Sequence, residues 1–253
     1  MHDFLIFALI GLVAQIIDGT LGMGFGIISS SVLLGLGVPP ALASASVNAA
    51  KIPTTATAAL SHLFHRNVES HLAIALCVFG ALGGAVGVLL LTSLKGAVLT
   101  SLVSVYLLLI GGLIIWRGIT GIAPRVLPAA WKRLIGLCGG LIEGIGGSWG
   151  PIVTTSLMGA GTQSRYAIGS GNFAEFFVSV TVFLSYLSAY FVGHWQGGTD
   201  WRSVLYPVLG LVTGGLPAAF FGGWLSRIAP NKLLTVLVGL LAVSIGIYRL
   251  FAA

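Results

Sequence analysis

Along this chain, long apolar stretches alternate with a few short polar gaps. The first stretch, Phe4–Ile17, is 14 residues long, or about 21 Å of helix against a hydrocarbon core of ~30 Å. It ends at Asp18-Gly19. Gly22, Gly24 and Gly26 then make a continuous helix costly, at about 1 kcal/mol each relative to alanine. Ile27–Leu36 is a second short run, closed by Gly37-Val-Pro-Pro. Two half-length runs around a glycine-rich break predict a re-entrant hairpin or a broken helix. Either is tolerated at membrane depth only where protein or a wet cavity covers the open backbone. Pro39-Pro40 start the next helix, predicted to reach Phe64 with Lys51 and Pro53 in its middle. After the polar loop His65–His71 come two full-length runs, Leu72–Thr92 and Gly96–Arg117.

The same order then returns. A connector with Pro124, Arg125, Pro128, Lys132 and Arg133 is the strongest interior boundary. Beyond it lie a short run Leu134–Glu143, a break Gly144–Gly150 and a short run Ile152–Met158. A long helix Gln163–Val192 carries Glu175, and after a polar loop at 193–200 the helices Val204–Trp224 and Lys232–Phe251 are predicted. A shift of 124 places Gly26 on Gly150, Ser46 on Ser170, Asn48 on Asn172 and Lys51 on Glu175, while a shift of 125 places Asp18 on Glu143. Polar matches at a near-constant offset mark an internal duplication. The expected organisation is an N-terminal transmembrane repeat (1–117), a cytoplasmic connector (118–133) and a C-terminal transmembrane repeat (134–253). Each repeat is expected to hold a glycine-broken pair of short helices and three long transmembrane helices.

Whether the short pair forms a hairpin or two crossings, each repeat crosses the membrane an odd number of times, so the repeats would be inverted. The alternative, one broken crossing per pair, makes them parallel. With the connector inside, inversion places eight of eleven cationic side chains in the cytoplasm and the parallel arrangement places seven. The positive-inside rule favours inversion by that one charge.

Composition agrees with the pattern. Hydrophobic residues are 57% of the chain and charged residues 7%, against about 25% charged in soluble domains. The class is an all-α polytopic membrane protein, with the lipid bilayer as solvent. The 37 glycines suit close helix packing in lipid. A net charge of +6 lies mainly between the apolar runs, so it reports topology rather than a nucleic-acid surface. Cys77 and Cys138 lie inside apolar runs and read as packing residues. Met-His-Asp-Phe lacks a basic signal region, so the first run is expected to be retained.

Ionisable groups at membrane depth are costly and face a cavity or a partner. Asp18, Lys51, Glu143 and Glu175 are such groups. Two readings of Lys51 and Glu175 stand: an anion site with a proton on Glu175, or an ion pair that fixes packing. The short helices after Gly26 and Gly150 would also aim free N–H groups inward, a second anion device, with Gly24 and Gly147 in the breaks. Equally, these glycines could serve close packing alone. Asn48 with Lys51, and Asn172 with Glu175, share helix faces; with Ser46 and Ser170 they could bind an oxyanion or bond between helices. Asp18 and Glu143 could relay protons or hold the turns they precede. His62, His65 and His71 flank a loop without a supporting Cys or acidic cluster, so they read as solvated and no metal is expected. No protease or hydrolase pattern is present, and neither an enzyme nor a cofactor is expected.

The glycine-rich stretch Asp18–Gly26, the segment Gly35-Leu-Gly-Val-Pro-Pro-Ala-Leu-Ala-Ser and the run Ser61-His-Leu-Phe-His-Arg-Asn-Val-Glu69 together resemble the TauE/SafE family of membrane permeases, or sulfite exporters. Glu143–Pro151 and Ala167–Asn172 repeat the pattern weakly. The resemblance implies transport of sulfite, organosulfonates or similar anions across a prokaryotic cytoplasmic membrane, commonly outward. The expectation is a secondary transporter working by alternating access around a midplane site. Substrate contacts would come from Lys51, Asn48, Asn172, Ser46, Ser170, Gly24, Gly26, Gly147 and Gly150, and proton coupling from Glu175, Glu143 and Asp18. The alternatives are an anion channel or a non-transporting membrane scaffold. Homo-oligomerisation is left open.

Overall fold

The computed structural model describes residues 2–93, 96–121, 128–193, 202–221, 224 and 231–252. Among them are ten helices and no strand: α1 (His2–Leu21), α2 (Phe25–Gly35), α3 (Pro40–Phe64), α4 (Ser70–Ser93), α5 (Gly96–Thr120), α6 (Ala129–Gly146), α7 (Trp149–Gly159), α8 (Ser164–Phe191), α9 (Arg202–Phe220) and α10 (Asn231–Ala252). The middle of the connector, with Arg125, lies outside the described residues, as do Lys95, Arg227 and the loop 194–200.

The breaks fall later than the apolar runs predict. α1 continues through Asp18 and Gly19 to Leu21, and α6 starts at Ala129 behind Pro128 and continues through Glu143 and Gly144 to Gly146. Buried packing along both helices outweighs a lone glycine's penalty of about 1 kcal/mol. What stops each helix is a left-handed residue. Gly22 has φ +65° and Gly147 φ +67°, and their N–H groups close the last turns on Asp18 O (2.6 Å) and Glu143 O (2.8 Å). A side chain is strained in that region, which is why glycine ends helices this way.

α7 folds back along α6. A methyl group on Gly139 would stand 2.2 Å from Val153 Cγ2. Fourteen residues of straight helix would hold those positions about 21 Å apart. This pair is therefore a hairpin.

α3 and α8 pack on each other and on α9 and α4 respectively. Around them, α4 lies along α6, α1 along α9 and α5 along α10. Glycine sets these spacings: a methyl on Gly140 would be 1.9 Å from Gly80 O, and one on Gly214 would be 1.7 Å from Ala8 O. The contacts at Leu76–Gly136, Gly80–Gly140 and Gly84–Gly144 keep a constant offset, so α4 and α6 run parallel. α5 and α10 run antiparallel, with Gly111 against Gly239 and Ser104 against Gly246.

Among the described residues, large apolar side chains face outward and the interior combines an apolar core with buried polar and charged groups. Ile74, Val78, Leu82, Val86 and Leu89 form one outward stripe on α4, each 45–63% exposed, while Gln15, Asp18, Asn48, Lys51, Glu143 and Glu175 are at most 3% exposed. In water such an apolar surface would drive association, whereas lipid solvates it. α4 and α8 are each long and apolar enough to cross a bilayer.

Candidate functional site: a buried lysine between two helix breaks

Lys51 lies in the middle of α3, two residues before Pro53, and is 1% exposed. Its ammonium reaches Glu143 Oε1 (2.8 Å) and Oε2 (3.0 Å), Gly147 O (2.8 Å) and Glu175 Oε1 (2.7 Å). Three acceptor groups thus meet an ammonium with three protons. Glu143, expected to relay protons or hold the turn it precedes, is a direct partner of the lysine, because α6 runs past it, and the hairpin turns the Gly147 carbonyl back toward α3.

Each break is closed by the acid that precedes it. Asp18 Oδ1 accepts from Gly24 N (2.8 Å) and Phe25 N (3.2 Å), and Glu143 Oε2 accepts from Trp149 N (2.6 Å). A carboxylate there satisfies orphan N–H groups and suits the positive end of the helix dipole. Three of the N–H groups at the two helix starts, those of Gly24, Phe25 and Trp149, are thus held by the chain's own carboxylates. At the other end of the second break, the Gly144 carbonyl accepts from Tyr186 OH (2.6 Å) and Ser44 Oγ (3.2 Å).

The two breaks also touch one another. A methyl on Gly26 would lie 1.7 Å from Gly147 O and 2.5 Å from Lys51 Nζ. One on Gly150 would lie 2.4 Å from Gly22 O and from Met23 Cα. Glycine at these points allows the backbones to approach.

The other expected residues are more dispersed. Asn48 donates to Ser44 O (2.9 Å), and its Oδ1 has no partner among the described residues. Ser46 is buried in α3. Ser170 Oγ accepts from Glu69 N (2.9 Å) at the α3–α4 loop. Asn172 Nδ2 lies 3.3 Å from His62 Nε2, and Asn67 Nδ2 lies 3.4 Å from His62 Nδ1. His62 is only 1% exposed, contrary to its reading as a solvated loop residue, because α3 carries it inside against α8. Nothing in its neighbouring sequence announced this; the partner amide is 110 residues away.

A helical membrane protein with a buried cation held by acids from two different helices is the class these features define. The chain belongs to the sulfite exporter TauE/SafE family, whose model matches residues 7–249. It is 34% identical over 250 residues to the probable membrane transporter protein YtnM of Bacillus subtilis (strain 168), covering 94% of this chain and 80% of that one. No solved structure matches it. Family and relative together make this a membrane transporter.

Proposed function

We propose that the protein is a secondary transporter, not an enzyme, that exports a small sulfur-containing anion such as sulfite or a sulfonate, with proton coupling, across the cytoplasmic membrane. Two inverted repeats would rock around a midplane site lined by Lys51, Asn48, Glu143 and Glu175. Ser46, Ser170, Asn172 and the glycines Gly24, Gly26, Gly147 and Gly150 would complete its walls. The observation that carries this reading is the buried Lys51 ammonium at the junction of both helix breaks. Transporters commonly bind ions and substrates at such interruptions. The repeat reading is supported by the reciprocal contacts of the breaks and by the exchange of partners, α4 with α6 and α9 with α1. Inversion is supported by the fold-back of α7 and by antiparallel packing of α5 on α10, which occupy equivalent places in the two halves.

Charge balance supplies the coupling. Asp18, Glu143 and Glu175 set three carboxyl groups beside one ammonium, all buried. With every group ionised, an added anion would deepen an uncompensated negative charge, and such burial costs several kcal/mol. The anion therefore enters with a proton. Glu175 is the receiver in this reading, because it occupies the lysine as an anion would and its Oε2 has no hydrogen-bond partner among the described residues. Protonated Glu175 frees Lys51 for the substrate.

The test is flux in proteoliposomes with sulfite, sulfoacetate, sulfate and acetate, each with and without a pH gradient. Saturable flux of a sulfur anion that responds to the gradient is expected. No anion flux, with Lys51→Ala indistinguishable from wild type, would overturn the proposal.

A further inference from the structure

Arg117 lies near the end of α5, beside Trp116, which is 60% exposed. Exposed tryptophan is typical of the membrane interface. An arginine at that depth would ordinarily extend toward water. Arg117 instead turns inward, is half-buried, and donates from Nη1 to Thr155 Oγ1 of α7. Thr155 is 3% exposed, and its hydroxyl donates to Pro151 O, so its lone pairs are fixed toward the guanidinium.

Among the described residues this bond leaves most of the guanidinium's five N–H donors uncommitted. Neither of the two ion pairs among the described residues includes Arg117. Three of the six acidic residues in the chain are gathered at Lys51. A partly desolvated guanidinium without a counter-charge among the described residues is a complement to planar or tetrahedral oxyanions, which accept two parallel N–H bonds.

We propose that Arg117, steered by Thr155, forms an oxyanion site at the connector-side mouth of the α6–α7 hairpin. Its ligand is a free sulfur or phosphorus oxyanion or the phosphate of an anionic lipid. Thr155 is six residues from Trp149, about 9 Å along α7 from the N–H that holds Glu143. The site is thus separate from Lys51 and stands whether or not the transport reading above does.

The experiment uses the purified full chain, titrated calorimetrically with sodium sulfate and with inorganic phosphate, and native mass spectrometry to record bound phosphatidylglycerol. Arg117→Gln should weaken sulfate binding about tenfold, and Arg117→Lys should lose less, since it keeps the charge but not the fork. If the oxyanion is lipid-borne, phosphatidylglycerol should accompany the wild type and be lost from Arg117→Gln, and sulfate should bind only after delipidation. Arg117→Gln with wild-type sulfate affinity and wild-type lipid content would overturn the proposal. Should that variant not fold, Thr155→Val tests the same point: reduced sulfate or lipid binding supports the site and unchanged binding of both removes it.

Discussion

Lys51 and Glu175 are 124 residues apart in sequence and 2.7 Å apart in space. They occupy corresponding places on α3 and α8, helices that pack against each other. Like charges at both positions would face each other in a buried setting, at a cost of several kcal/mol. Opposite signs avoid that repulsion, and Glu143 and the Gly147 carbonyl take the remaining donors of the ammonium.

Removing the cation should therefore be severe. Lys51→Met leaves Glu143, Glu175 and Gly147 O without their shared donor, and breaking a buried pair in this way costs about 3–5 kcal/mol. Thermal unfolding of the purified protein should show a large drop at neutral pH. The drop should shrink in acid, where protonated carboxyl groups no longer need the cation. An equal deficit at every pH would mean that the loss comes from packing and not from unpaired charge.

The touching breaks give a second expectation. Gly26→Ala would press a methyl against Gly147 O at 1.7 Å, and neither backbone can yield without moving the Lys51 acceptor. Overpacking of this kind costs about 1–3 kcal/mol or more. Gly112→Ala is the control: nothing lies within 4 Å of the added methyl, so α5 should gain up to about 1 kcal/mol of helix propensity. Comparable unfolding temperatures for the two variants would contradict the close approach of the breaks.

Much of this arrangement was legible in the sequence because bilayer and backbone rules act locally. Apolar run lengths mark most of the helices, and Pro39-Pro40 mark the start of α3, while α6 begins at Ala129, ahead of the run expected from Leu134. The offset of 124 points to Lys51 and Glu175 as a pair before their distance is known. Local rules fail where long-range packing decides. Gly19 and Gly144 look like breakers but lie inside helices, and at Gly144 the neighbours need a glycine for close contact: a methyl there would meet Gly84 O at 2.5 Å. The Glu143 contact with Lys51 depends on α6 running past α3, and the Gly147 contact on the hairpin turning back, which spacing alone left open between a hairpin and a broken crossing. The His62 cluster and the Arg117–Thr155 bond depend on helix neighbours that no periodicity encodes.

His62 offers a test away from the central charges. Its two ring nitrogens face the Asn67 and Asn172 side-chain amides, and Asn67 N also closes on His62 O at 2.9 Å. His62→Ala would leave two buried amides short of a partner, at about 1–3 kcal/mol each. Deuterium uptake across residues 65–69 should rise, because that loop loses a tie to α3 and α8, while uptake near Lys51 should change little. Uniformly faster exchange would instead point to global loss of stability.

Glu175→Gln separates the ion pair from the proposed proton. The amide keeps the volume and can still accept from Lys51, but it carries no charge and binds no proton in the working range. If Glu175 competes with the substrate for Lys51, the variant should bind sulfite at high pH as wild type does only at lower pH, since the internal competitor is permanently neutral. Transport should then lose its acceleration by a pH gradient while counterflow of one anion for another persists. Two carboxyl groups remain in the cluster, so a residual pH response carried by Glu143 or Asp18 would be weaker and would survive in Glu175→Gln. Flux that keeps the full wild-type response to the gradient would remove Glu175 as the coupling group and leave it as a structural partner of Lys51. The readout is paired: sulfite affinity against pH in the purified protein, and initial flux against imposed gradient in proteoliposomes.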